Sequence, residues 1–129
     1  MTELRERIKT VIETEPVTLF MKGSPQFVMC GNSERALQAL RDAGAPVTSV
    51  DVLPDPAIRQ ELSELSGWPT IPQIFIGGEN VGGAMDLFDA MRVGTMQRRL
   101  DTAGVAFDRE TRIDPYDLLP KWLHPRKTA

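Results

Sequence analysis

Leu4, Ile8, Val11 and Ile12 recur at helical spacing through an otherwise polar stretch, which predicts an amphipathic helix ending before Pro16. The period then changes. Val17-Thr-Leu-Phe-Met21 is a short β-branched and aromatic run, the mark of a buried strand. Lys22-Gly-Ser-Pro-Gln-Phe-Val-Met29 carries Gly and Pro and reads as a loop. From about Cys30 to Ala43 helical spacing returns, with Ala36, Leu37 and Leu40 on the apolar side and Gly44 at the C-cap position. Val47–Val52 has strand character. Asp55-Pro56 then opens a helix, Asp as N-cap and Pro in the first turn, with Ile58, Leu62 and Leu65 as its buried stripe.

Two prolines within Trp68-Pro-Thr-Ile-Pro72 exclude regular structure there. Gln73–Ile76 reads as a strand, Gly77–Asn80 as a tight turn, and Val81 as the start of a return strand. A last helix carrying Leu87, Ala90 and Met91 runs toward Gly94 or slightly beyond. The order α-β-α-β-α-β-β-α implies an α/β domain of parallel strands with one antiparallel edge and helices on both faces. Residues 1–100 form that domain. Residues 101–129 change character: they carry Pro115, Pro120 and Pro125 and a late apolar cluster of Tyr116, Leu118, Leu119, Trp122 and Leu123. This extension is either a tail packed back on the domain or a docking segment for a partner.

Composition narrows the function. The 129 residues suffice for one core, and 15 basic against 18 acidic residues leave a net charge of −3. That balance gives no whole-chain attraction to nucleic acid or to an anionic membrane. No apolar run reaches the ~20 residues of a membrane span, and the charged N-terminus is unlike a signal peptide. The chain has a single cysteine. One cysteine makes no internal disulfide, no dithiol pair and no multi-thiolate metal site of its own. The expectation is a reduced, cytoplasmic protein whose Cys30 works with a second molecule.

Cys30 falls where a loop meets a helix N-terminus. Free N–H groups and the helix dipole favour thiolate there, and Lys22 lies at the other end of the same loop. Thr70-Ile71-Pro72 precedes a strand. A cis Pro72 would turn the Ile71 main chain toward an extended peptide. Gly82-Gly83 leads into a helix, where close backbone approach and a helix start suit a carboxylate. Together these pieces describe a site for a small thiol peptide.

Lys22-Gly-Ser-Pro25, Cys30-Gly-Asn-Ser33, Trp68-Pro-Thr-Ile-Pro-Gln73 and Val81-Gly-Gly83 resemble, in order and spacing, the motifs of the monothiol glutaredoxins. The resemblance spans roughly residues 3–100. It implies a thioredoxin-like fold with a central four-stranded mixed sheet flanked by helices, and glutathione as ligand. In many members it also implies a [2Fe–2S] cluster held by one cysteine from each of two protomers and by two glutathiones, making a homodimer from a monomeric apo form. Four thiolates are the usual complement of such a cluster. By the same resemblance Cys30 is the nucleophile or metal ligand, and Lys22 stabilises its thiolate and pairs with a glutathione carboxylate. Arg59 binds the glycyl carboxylate. Thr70 and Ile71 present main chain to the cysteinyl unit, with Pro72 as the cis-proline. Gly83, Ala84 and Asp86 hold the γ-glutamyl end.

Three positions depart from the family pattern. Asn32 stands in place of an aromatic Phe beside the thiolate. Val28 occupies a position that is often proline, which predicts a less rigid loop. Ala84-Met85 precede Asp86 where the family commonly has Cys or Ser and then Asp. Three functions follow: an iron–sulfur carrier serving client or assembly proteins, a weak glutathione-dependent thiol transferase that removes glutathione from mixed disulfides, or an adaptor that keeps only the fold.

Overall fold

The computed structural model describes residues 2–108. Helix α1 (Glu3–Thr14) starts where the Thr2 hydroxyl accepts the Arg5 N–H, and it buries Ile8 and Ile12. Strand β1 (Val17–Met21) has no solvent access at any residue. Two short strands follow, β2 (Gly23–Ser24) and β3 (Phe27–Val28), then helix α2 (Gly31–Asp42) with Cys30 at its N-cap. Strand β4 (Thr48–Asp51) leads to helix α3 (Pro56–Ser66), whose N-cap Asp55 accepts the Ala57 N–H. The hairpin β5 (Gln73–Ile76) and β6 (Glu79–Gly82) precedes α4 (Ala84–Val93) and α5 (Thr95–Thr102).

The four-stranded sheet runs β4-β1-β5-β6. β1 is parallel to β4 and antiparallel to β5, and β5 is antiparallel to β6. The antiparallel strand is therefore interior, not an edge as the element order suggested. Helices cover both faces. One face packs Leu19, Met21, Ile74 and Ile76 against Leu37, Leu40, Leu87, Phe88 and Leu100 of α2, α4 and α5. On the other, Phe20 and Phe75 meet edge to face, centroids 5.7 Å apart, beneath Ile8, Ile12 and Leu62 of α1 and α3. Arg5 fastens those two helices to each other through Glu61 and Glu64.

Several local expectations are corrected. Residues 22–29 are a braced hairpin rather than a loop: β2 pairs with β3, and the Met29 N–H bonds the Lys22 carbonyl at 2.9 Å. Val28 sits in that ladder opposite Gly23 and packs against the core. Gly23, at φ +94°, has no room for a side chain, because a Cβ would lie 2.2 Å from the Phe27 carbonyl oxygen. The β5–β6 turn is only Gly77-Gly78, and Glu79 already belongs to the return strand. Leu65 is 36% exposed, because only Leu62, and in part Ile58, face the sheet from α3.

Helix α5 has no counterpart among the elements predicted from sequence. It begins after Gly94, where φ of +85° redirects the chain, and anchors through Met96 and Leu100. It crosses residue 100, and Val105 beyond it joins the same core. The Tyr116–Leu123 cluster lies outside the described residues. No described helix is long and apolar enough to cross a membrane.

Leu62→Ala should lower unfolding free energy by about 2–5 kcal/mol, the usual cost of emptying a closed core site. Leu65→Ala should stay within about 0.5 kcal/mol. Urea unfolding of both variants measures the contrast; equal losses would place Leu65 in the core after all.

Candidate functional site

The sheet register gathers the site. Phe20 lies opposite Gln73, so Lys22, just past β1, and Pro72, just before β5, emerge at the same end. Ile74 lies opposite Gly82, which brings Gly82-Gly83 to that end as well. α2 starts there too, since the Lys22 N–H donates to the Ser33 hydroxyl at 3.1 Å.

Cys30 is partly exposed, with extended backbone, and offers no capping bond of its own. Burial pushes its thiol pKa up, but the opposing effects win. The N–H groups of Ser33 and Asn32, the Ser33 hydroxyl and the charge of Lys22 all favour the anion, and the pKa is lowered. Ser33 is fully buried and serves twice, bonding toward the sulfur and tying down the exit of β1. Its role was not assigned from sequence, although an oxygen-bearing residue three places after a capping position is a recognisable signal. Asp51 was also missed. Its carboxylate accepts the N–H groups of Gly23 at 3.0 Å and Leu53 at 2.9 Å, bracing the hairpin that carries Lys22.

Asn32 is exposed and its side-chain oxygen accepts from Arg35 at 3.2 Å, a contact along the surface of α2. The bond it supplies to the thiolate comes from its main chain. Phe27 and Met29 flank the site, 78% and 68% exposed.

The second wall is the segment before β5. The Ile71–Pro72 bond is cis, and the loop and turn hydrogen bonds among the described residues include none at Ile71. Buried Gln73 holds this wall. Its amide donates to the Trp68 carbonyl at 2.8 Å, and its oxygen accepts from the Ser66 hydroxyl, which in turn accepts the Trp68 N–H. Arg59, exposed on α3, reaches the Pro69 carbonyl at 3.4 Å and so stands beside Thr70.

Gly83 forms the third wall; a Cβ there would lie 3.4 Å from the Pro72 carbonyl oxygen. The Asp86 carboxylate folds back to accept the Gly83 N–H at 3.1 Å, capping α4. Gly82, at φ +96°, allows this fold, since a Cβ would meet that carboxylate at 2.7 Å. The Ala84 amide, in the first turn of α4, is one of the donors that a helix start leaves without an intrahelical partner. Lys22, Cys30, Arg59, Thr70, Ile71, Pro72, Gly83, Ala84 and Asp86 thus all lie at one end of the sheet or on the helices that border it.

A lowered thiol pKa means that thiolate, the reactive form, appears at lower pH than in a free cysteine. Alkylation of Cys30 followed against pH should therefore show a midpoint below the ordinary thiol value. Ser33→Ala should move that midpoint upward and slow alkylation at neutral pH several-fold. An unchanged profile would remove the hydroxyl from the account.

A family model described as Glutaredoxin matches residues 17–81. Glutaredoxin 4 of Pasteurella multocida is 38% identical over 108 residues, covering 84% of this chain and 99% of that protein. Monothiol glutaredoxin-S14, chloroplastic, of Arabidopsis thaliana is 38% identical over 101 residues, covering 78% of this chain and 58% of the plant protein. The chain thus spans little more than half the length of that plant relative. The solution structure of a monomeric truncated mutant of Trypanosoma brucei 1-C-Grx1 matches with a TM-score of 0.74 at 36% identity, over 83% of this chain and 97% of that one. Reduced poplar apo GrxS14 matches at 0.70 and 38% identity, over 78% and 92%. The architecture is the thioredoxin-like fold that the motifs implied. With one cysteine at the head of α2 and relatives named as monothiol proteins, the chain belongs to the glutaredoxin family, among its monothiol members.

Proposed function

We propose that the chain binds glutathione across the Cys30 end of the sheet and uses the Cys30 thiolate to assemble or transfer [2Fe–2S] clusters in the cytoplasm. The observation that carries this reading is a lone, partly exposed thiol at a helix N-terminus, its pKa lowered, beside a strand end and a second helix start. In this reading Lys22 pairs with a glutathione carboxylate, Arg59 takes the glycyl carboxylate, and Thr70 and Ile71 bond the cysteinyl main chain past Pro72. Gly83, Ala84 and Asp86 hold the γ-glutamyl end.

The donor set fits a cluster only if it is shared. The chain has one cysteine, and among the described residues no group of three or more His, Cys, Asp or Glu is placed to hold a metal. In this reading the four thiolates come from Cys30 of two protomers and from two glutathiones, as the resemblance to the monothiol glutaredoxins implies, with iron–sulfur client or assembly proteins as partners. A bound cluster would supply one-electron chemistry and a transferable inorganic core. The chain itself favours the thiolate form of Cys30, and in this reading it positions the glutathione thiol beside it.

The same thiolate supports a second reading, thiol transfer. Cys30 sulfur attacks the glutathionyl sulfur of a mixed disulfide, forming a Cys30–glutathione disulfide and releasing the client as thiolate. A second glutathione thiolate then attacks the glutathionyl sulfur, releasing glutathione disulfide and restoring Cys30.

Anaerobic reconstitution with iron, sulfide and glutathione separates the readings. The carrier reading expects a coloured dimer that is colourless as Cys30→Ser. A colourless monomer that turns over a glutathionylated peptide makes the chain a transferase, and one with neither property nor glutathione affinity makes it an adaptor. Lys22→Ala and Arg59→Ala should each weaken glutathione binding by roughly 10- to 100-fold, the loss of one charge-assisted bond. Calorimetric titration reads this, and unchanged affinity in both would move the glutathione site elsewhere.

A further inference from the structure

The side chain of Asn32 takes no part in stabilising the Cys30 thiolate, so the thiol chemistry leaves this departure from the motif pattern unexplained. What that side chain does is hold Arg35. Its oxygen accepts from Arg35 Nη1 at 3.2 Å, a contact that a phenylalanine at position 32 could not make. Arg35 lies about one helical turn after Gly31, and its side chain folds back toward the start of α2. A Cβ on Gly31 would lie 3.2 Å from its Nη1 and 3.6 Å from its Cζ and Nη2. The guanidinium therefore rests against the bare backbone of the residue next to Cys30.

That is an electrostatically poor place for a cation. The first turn of a helix carries unpaired N–H groups and the positive end of the dipole, which favour acids over bases. Arg35 is half-buried, and no carboxylate pairs with it among the described residues. Glu34, the one acid of that turn, projects about 100° away round the helix. Nor is Arg35 spent on the thiol, since the charge that favours the Cys30 anion is that of Lys22. With one N–H given to Asn32, the guanidinium keeps donors for an anion arriving at the outer rim of the site.

We propose that Arg35, tethered by Asn32, is a specificity residue that selects carboxylate-bearing sulfur partners for Cys30, namely client cysteines flanked by acidic residues. An aspartate beside the client sulfur meets the guanidinium as that sulfur meets Cys30, and such a bond is charge-assisted and can be bidentate. A lysine in the same place meets like charge and is disfavoured. The selection rests on the reading of Cys30 as the reacting sulfur, and it needs neither glutathione nor a cluster.

Stoichiometric exchange without glutathione tests this. Three blocked peptides, Asp-Cys-Asp, Asn-Cys-Asn and Lys-Cys-Lys, each carry the cysteine as a 2-pyridyl disulfide. The Cys30 thiolate attacks the peptide sulfur and forms a Cys30–peptide disulfide. Pyridine-2-thiolate leaves and takes a proton from water, and the absorbance of the thione gives the rate. The aspartate peptide should react roughly tenfold faster than the lysine peptide, with asparagine between, and added salt should narrow the spread. In Arg35→Gln the spread should fall to about twofold or less, whereas Arg35→Lys keeps part of it. Asn32→Ala should lie between, because the guanidinium loses its tether. Ratios taken within each variant cancel any change in the thiol itself. Equal rates for all three peptides overturn the proposal, as does a full spread in Arg35→Gln, and a full spread in Asn32→Ala overturns the tether. No exchange with any peptide removes Cys30 as the reacting sulfur and the selection with it. Failure of glutathione to bind in the calorimetric titration leaves these ratios untouched and strikes the glutathione reading alone.

Discussion

Everything else in the molecule is arranged around the burial of β1. Its five residues have no solvent access, so both of its faces must be covered and both of its edges paired. Leu19 and Met21 commit one helical layer, and Phe20 commits the other through its edge-to-face contact with Phe75. β4 and β5 satisfy its main chain on either side. Once those pairings are set, the chain leaving Met21 has only one place to go: the end of the sheet where α2 begins and where Pro72 enters β5.

The chemistry occupies that exit. Ser33 is the stitch between strand and helix, accepting from Lys22 and bonding toward Cys30. Burial alone would raise the thiol pKa, and it is overcome only because several weak donors converge on one sulfur. The hairpin carrying Lys22 is in turn held by Asp51, so the cation and the thiol are positioned by a continuous set of bonds running back to β4. Asn32 takes no part in this through its side chain, which turns along the helix to Arg35. Replacing an aromatic by Asn thus changes the outer surface of the site while leaving the thiolate's donors, which are main-chain groups and Ser33, in place.

Most elements were legible from the chain because local rules dominate them. Spacing alone marked α1, α2 and α3, and Asp55-Pro56 marked a helix start that the structure reproduces. The misses share a cause. Residues 22–29 read as a loop because Gly and Pro are turn residues, yet a turn with paired flanks is a hairpin, and pairing is not local. Leu65 had helical spacing but faces outward, since periodicity identifies a stripe and not what covers it. α5 offers only Met96 and Leu100 as apolar anchors, too few to stand out, and Gly94 looked like an end when it is a bend between two helices.

For the site, the sequence by itself determined which groups are present: one sulfur, the lysine before it, the Thr70-Ile71-Pro72 entry and the glycines of the second helix start. Residue type and spacing limit what chemistry those groups can do, and a single cysteine requires a sulfur from outside the chain. Only the tertiary structure decided that they meet, through strand registers linking residues more than fifty positions apart. It also decided that β5 lies antiparallel beside β1 in the interior, and that Ser33, Asp51 and Gln73 hold the walls in place. These are buried polar groups whose partners are distant in sequence. Hydrogen-bond satisfaction depends on the whole packed neighbourhood, which no window of the chain contains.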